Sequence, residues 1–363
     1  MAVSRINEAG LNVNQYGNRN VIINGAMQVA QRGTSATGLG GGSQSYNTVD
    51  RFSVTPNATA GRFTMTQDSS APSGFANSVK LECTTADTSI AAGEILLLST
   101  GLEGQDLQRF AKGTSDAKPF AVSFYVKGNA SATYVAELYD HDNTRQVSKT
   151  FSVTTNWSRV ELFFPADTTG AFDDNNALSL TLQIWLHAGS TYSGGTLNTT
   201  WGSVTQANRA AGISSFFDST NRTFFMTGVQ LEVGDTATDF EHRTFGDELQ
   251  RCLRYFYSCG DGSTHVYEAF AYGTATTTGA LEALLEFPVI MRTIPAVAQV
   301  GNVHIGNGVV GYTITSLTIS SNQSGAKRAI ISAGGASGMT QFRAYRIEAN
   351  NDATARLNFS AEL

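Results

Sequence analysis

The chain has 363 residues, of which 41% are hydrophobic and only 15% charged, and its formal net charge is −6. The hydrophobic share excludes a disordered chain, and the length points to more than one core. The acidic balance lacks the basic footprint of a nucleic-acid binder, and no apolar run approaches the roughly 20 residues of a membrane span.

Residues 1–20 hold few large apolar side chains and read as an arm. Their start has no apolar h-region of the kind a secretory signal carries, so a chain of this kind working outside the cell would be expected to leave by lysis. Val21–Ile23 read as a strand and Asn24-Gly25 as a turn. Gly33–Ser45, rich in Gly, Ser and Thr, reads as a flexible loop that completes a 1–45 arm.

From Val49 to Val233, within a domain expected over 46–245, the pattern has period two, the signature of half-buried strands. Phe120, Val122, Phe124 and Val126 share one face of a strand, with Ser123 and Tyr125 on the other. Val160, Leu162 and Phe164 alternate with Arg159, Glu161 and Phe163. Leu178, Leu180, Leu182, Ile184 and Leu186 form the longest apolar row. Further strands are expected at 62–67, 78–83, 94–99, 134–139 and 229–233, with a short helix or turn at 102–111. Turn-forming clusters at 71–74, 128–129 and 173–176 separate them. Many short alternating strands of this kind make a two-sheet sandwich.

At 246–258 the period changes. Phe245, Leu249, Cys252, Leu253 and Phe256 fall at helical spacing, Asp247 and Glu248 come early and Arg251 and Arg254 late, and Gly260 follows. This is an amphipathic connector helix whose stripe packs either on a sandwich or on the same helix of another subunit. Alternation then returns through 281–287, 311–320, 328–333, 341–348 and 355–363, giving a second, smaller sandwich over 259–363. Its modest apolar inventory points to burial against further copies of the chain.

Catalytic signals are faint. The five histidines are dispersed, with no HxH or HExxH pair, no GxSxG elbow and no phosphate loop. The three cysteines, Cys83, Cys252 and Cys259, are an odd set for a disulfide framework and read as small buried apolar residues. His141, flanked by Asp140 and Asp142, is either a calcium-binding turn or a solvated one. Trp185 points away from the leucine row, beside Gln183 and His187. It either stacks on a sugar or lies under a loop, a neighbouring domain or another subunit. Tyr125 stands on the same type of face, and Tyr139, Tyr192 and Trp201 are further aromatic candidates.

Several segments in order carry a family resemblance. Ile23-Asn24-Gly25 with Met27-Gln28 comes first, then Asp50-Arg51-Phe52. Gly228–Glu232 follows, then Glu248, Leu249, Cys252, Arg254 and Tyr255, and finally Pro288, Met291, Arg292 and Pro295. Over residues 21–295 this order resembles bacteriophage tail-fibre and adhesin proteins that carry a carbohydrate-binding-module-like jelly roll. The resemblance implies a mainly β fold: a jelly-roll β-sandwich, a short connector helix and a second, smaller C-terminal β-sandwich. It implies a non-enzymatic virion tail protein, homotrimeric, held to other tail proteins by its N-terminal arm and binding host-surface glycans. Trp185, Gln183, His187 and Tyr125 are the expected glycan contacts. It gives Asn24, Gly25, Asp50, Arg51 and Arg292 structural work, with Asp50-Arg51 as a buried or seam ion pair and Arg292 anchoring a loop. No organic cofactor is expected. A structural calcium is frequent in that superfamily, with Asp50, Asp235 and Asp239 the candidates beside the reading of plain surface carboxylates. The alternative function is a purely structural connector, adaptor or decoration protein. A polysaccharide depolymerase is a third reading, without the long repeat such enzymes carry.

Overall fold

A computed structural model describes residues 17–260 and 264–363. The described chain is mainly β and divides into two compact units, with the boundary between Glu248 and Leu249. The expected arm residues 1–16 lie outside the described residues.

The first unit contains β1 (Ser35–Leu39), β2 (Ser45–Tyr46), β3 (Ser53–Asn57), β4 (Arg62–Asp68) and β5 (Ser78–Thr85). After these come β6 (Ile95–Glu103), β7 (Phe120–Gly128), β8 (Ala132–Asp140), β9 (Arg145–Val153) and β10 (Ser158–Phe164). The unit continues with β11 (Leu178–Ala188), helix α1 (Ser190–Ser193), β12 (Gly202–Ser203) and β13 (Thr223–Val233). They form a jelly-roll sandwich of a six-stranded sheet, β1-β4-β5-β13-β7-β10, and a seven-stranded sheet, β12-β9-β8-β11-β6-β3-β2. The strand pairings within both sheets are antiparallel.

Period two does the work the sequence assigns to it. Phe120, Val122, Phe124 and Val126 from one sheet meet Leu180, Leu182, Ile184 and Leu186 from the other in a single buried core. Phe110 stacks on Phe120 at 4.2 Å between ring centroids, closing one end.

Three expectations change here. Residues 17–45 are not an arm: Ile22, Met27 and Val29 are buried, β1 lies within the expected loop, and β2 begins at its last residue. The Val21–Ile23 segment is not a regular strand, although the Val21 amide donates to the Leu231 carbonyl at 3.0 Å. β9 and β12 were not legible, because Arg145–Val153 mixes polar residues into both faces of an edge hairpin.

Helix α2 (Phe245–Leu253) is shorter than expected. Thr244 caps it, its Oγ1 accepting from the Asp247 amide at 3.2 Å and donating to Asp247 Oδ2 at 2.8 Å. The expected last turn is instead β14 (Phe256–Cys259). Aromatic residues favour strands, and Tyr257 finds a stacking partner in Phe359, 5.9 Å away.

The second unit is a smaller sandwich. It contains β14, β15 (Ala269–Ala275), β16 (Ala280–Glu286), β17 (Ala296–Val300), β18 (Val303–Gly306) and β19 (Gly311–Thr313). β20 (Ser316–Ile319), β21 (Arg328–Gly334), β22 (Ala344–Ala349) and β23 (Arg356–Ser360) complete it. A three-stranded sheet, β14-β23-β17, and a seven-stranded sheet, β19-β18-β22-β15-β16-β21-β20, share a core that includes Leu281, Ile331, Ile347, Leu357 and Phe359.

Candidate functional site

Four of the resembling segments, at Asn24-Gly25, Asp50, Gly228–Glu232 and Glu248, meet in one hydrogen-bonded knot in the first unit. β13 pairs with β5 only through Thr223–Met226, so its second half offers a bare edge. Residues 20–25 fill that edge: Asn20 Oδ1 accepts from Leu231 N at 3.1 Å, and Val229 N donates to Gly25 O at 2.9 Å. Gly25 is required by contact, since a Cβ there would fall 2.1 Å from Val229 O. The fully buried Asn24 ties three segments. Its Oδ1 accepts from Val29 N at 3.0 Å, and its Nδ2 donates to Val29 O and Asp50 O at 2.8 and 2.9 Å. Its backbone amide donates to Glu248 Oε2.

Arg243, which the sequence reading did not single out, closes the knot. Its Nη1 donates to Glu248 Oε1 at 2.8 Å and to Ile22 O at 3.0 Å. Glu241 accepts from Asn20 N at 2.9 Å. Burial pushes its carboxyl up, but that amide, the Arg19 amide and Arg243 outweigh burial and hold it below the usual range.

The expected Asp50-Arg51 pair is differently arranged. Asp50 Oδ1 lies 3.5 Å from Arg32 Nη1 and its carboxylate accepts from Gln31, while Arg51 Nη2 donates to Gly101 O at 2.6 Å. In the second unit, Arg292 donates to two consecutive carbonyls, Ala361 O and Glu362 O, each at 2.7 Å. It therefore fastens the end of the chain beyond β23.

Trp185, Tyr139 and Tyr192 lie on the outer side of the seven-stranded sheet of the jelly roll. Register places Gln183 opposite Ser99 and Glu137, Trp185 opposite Leu97 and Val135, and Thr181 opposite Tyr139. Trp185 is not a free stacking platform: it is 0% exposed. The excursion 189–213 folds back over it, fixed by Ala210 N to Tyr192 O at 2.9 Å and Ser214 N to Thr133 O at 2.8 Å. Trp185, Ile95, Leu97, Val135 and Ala210 make a small second core under it. Trp185 Nε1 donates to the buried Glu137 Oε2 at 2.9 Å. Arg209 grips the same carboxylate with Nε and Nη2, at 3.0 and 2.8 Å, and its Nη2 also donates to Gln183 Oε1 at 2.9 Å. Its guanidinium lies 4.8 Å from the Tyr139 ring and 4.9 Å from Trp185.

His187 is likewise withdrawn from any ligand. It is buried between Ser215 Oγ, 2.8 Å from Nδ1, and Glu94 Oε2, 3.1 Å from Nε2. Burial lowers its pKa below the ordinary histidine value, against the raising pull of Glu94. The Ser215–His187–Glu94 order is that of a hydrolytic triad, but Ser215 Oγ caps a turn by accepting from Phe217 N, and Phe217 walls the imidazole at 5.2 Å. Tyr125, on the other sheet, packs on Phe75 at 5.4 Å. Trp201 Nε1 donates to Pro165 O at 2.9 Å.

A strip of half-exposed Tyr139, Gln183 and Tyr192 with exposed His141 stays open to solvent. His141 Nε2 lies 2.8 Å from Thr181 Oγ1, and the ring meets Tyr139 edge-on at 4.6 Å. Partial loss of solvent around the ring lowers its pKa below the ordinary histidine value, against the raising pull of Asp140 and Asp142. Among the described residues no group of three or more His, Cys, Asp or Glu is placed to hold a metal ion. At the expected calcium turn, Asp140 instead receives an internal cation, Lys112.

No protein-family model matches the chain. No curated protein matches it either. Among solved structures it is similar to a family 30 carbohydrate-binding module, with 11% identity, 62% of this chain and 92% of that chain covered, and a TM-score of 0.30. It is also similar to a family 11 module from Clostridium thermocellum in complex with a β-1,3-1,4-mixed-linked tetrasaccharide, with 10% identity, coverages of 58% and 99%, and a TM-score of 0.28. The enzymatically active domain of bacteriophage CBA120 tailspike protein 4 is similar at 11% identity, coverages of 59% and 21%, and a TM-score of 0.30.

Proposed function

We propose that the chain is a non-enzymatic bacteriophage tail-fibre or appendage protein that binds host cell-surface glycans through its β-sandwich domains. The observation that carries this reading is the knot at Asn24. Four of the five segments resembling tail-fibre proteins are bonded to one another, from Asn20 through Asp50 and β13 to Glu248. Attachment to other tail proteins is assigned to the chain ahead of residue 17.

Glycan contact is assigned to the strip of Tyr139, His141, Gln183 and Tyr192. Its aromatic rings offer flat apolar faces, and its imidazole and amide offer hydrogen bonds to hydroxyls. Trp185 and His187 support that strip from beneath rather than touching the sugar, and Tyr125 lies on the opposite sheet. A homotrimer is part of the proposal. It is supported by the facing pair Tyr272 and Leu284 on β15 and β16, 66% and 47% exposed. Several copies on one particle would turn weak single-site binding into firm adsorption.

The test is adsorption competition. Purified protein at micromolar concentration should reduce attachment of the phage that carries it. Unreduced attachment, with the protein folded and its mass trimeric, would move the assignment to a structural component of the tail.

A further inference from the structure

The second sandwich contains a groove of about 390 Å³ that the sequence reading did not anticipate, lined by Tyr267, His304, Val309, Val310, Arg346 and Glu348 among others. That volume lies within the range of small-ligand sites. Its polar wall is an ordered trio. His304 on β18 stands opposite Glu348 on β22, with Nε2 3.1 Å from Glu348 Oε1. Arg346 Nη2 lies 2.8 Å from Glu348 Oε2. Glu348 is buried behind the other two and fixes both.

The backbone is shaped to admit this trio. A Cβ on Gly306 would fall 1.7 Å from Glu348 Oε1, and one on Gly311 would fall 2.6 Å from His304 Nδ1. The carboxylate and the imidazole therefore lie flat against bare glycine on both sides of the β18–β19 turn.

The rim has the opposite character. Val309 is 92% exposed, Val310 47% and Tyr267 60%. A β-branched residue is a poor choice for a turn, and solvent-exposed valine adds nothing to the core. The turn holding it is nevertheless fixed, since Asn307 Oδ1 accepts from the amides of Val309 and Val310 at 3.0 and 2.8 Å.

We propose that this groove binds a neutral hexose unit of a glycan, an inference that rests on reading the protein as a glycan adhesin. Tyr267 and the two valines take the apolar C–H face of the sugar, while Arg346 and His304 serve its hydroxyls. Glu348 pairs with Arg346 at 2.8 Å, so the guanidinium charge is balanced within the wall rather than left free to select a carboxylated or sulfated sugar.

The experiment applies the full chain to a printed array of neutral gluco-, galacto- and mannosyl oligosaccharides beside sialylated and uronic-acid glycans. The unchanged chain should retain neutral glycans. Tyr267→Ala and Val309→Ser alter exposed side chains and leave the fold intact. Each should weaken that retention about tenfold, the loss of one good contact at the centre of a small site. Equal retention by the unchanged chain and Tyr267→Ala would overturn the groove and leave the glycan reading standing. Tyr267-dependent retention of acidic glycans alone would overturn the neutral-sugar assignment. No retention of any glycan by the unchanged chain would overturn both readings.

Discussion

Lys112 Nζ lies 2.6 Å from Asp140 Oδ2 inside the jelly roll, and neither side chain reaches solvent. The ammonium also lies 3.2 Å from Asp167 Oδ2 and donates to Thr169 O and Gly170 O at 2.9 and 2.6 Å. Carboxylates and carbonyls are the ligand set of a hard cation, and here the chain places its own cation among them. Lys112→Met should therefore leave the buried Asp140 without its cation, while Asp167 keeps Arg145, and cost about 3–5 kcal/mol of stability. Urea unfolding measures this. Because the cation is covalently attached, EGTA should leave the melting temperature unchanged; a clear fall would place a calcium elsewhere in the protein.

Gly25→Ala forces a methyl group against Val229 O and strains the bond that seals the bare edge of β13. The expected loss is about 1–3 kcal/mol, the usual range for overpacking a close contact. The same measurement on Gly42→Ala is the control, since a Cβ there meets nothing within 4 Å.

Trp185→Ala should be a stability mutant, costing about 3–5 kcal/mol as a buried aromatic is removed from its small core. Glu137→Gln should act in the same direction, by leaving the buried Arg209 guanidinium without its counter-ion. Denaturant titration at matched protein concentration tests both. A Trp185→Ala protein of unchanged stability that lost cell binding would restore Trp185 as a sugar contact.

Much of this was legible in the alternation of side chains. The row Leu180–Leu186 faces the core, and Trp185 does point to the opposite face. Period two says which face a residue takes but not what lies over that face. The covering excursion 189–213 is polar and irregular, and it is held by backbone bonds and by Arg209 reaching Glu137 72 residues away. Nothing in local pattern announces that. Asn24 was legible as a motif residue, yet its role depends on Glu248, 224 residues later. Lys112 carried one signal: in a chain with 15% charged residues, a charge directly after Phe110 and Ala111 has a partner to find, whereas Arg243, between His242 and Thr244, carried none.

Acid should weaken the jelly roll before the carboxylates titrate. Burial depresses the His187 pKa, so between its folded value and the ordinary value of about 6.5 the unfolded chain holds a proton that the folded chain does not. Stability then rises with pH across that window and is lost as pH falls through it. At lower pH Asp167 acts in the same sense. Burial pushes its carboxyl up, but Arg145, the Thr169 amide and Lys112 hold it below its ordinary value. Unfolding free energy should fall as the pH drops through the ordinary histidine value of about 6.5, and His187→Gln should flatten that slope. An unchanged slope in the variant would assign the dependence to another group.

Binding of the fluorescently labelled full chain to host cells, before and after periodate oxidation of their surface sugars, tests the adhesin reading most directly. Saturable binding to intact cells that disappears after periodate, and survives protease treatment of the cell surface, is the expected result. Binding that survives periodate but is lost to protease would contradict a glycan receptor, and absence of binding to intact cells would contradict host attachment itself.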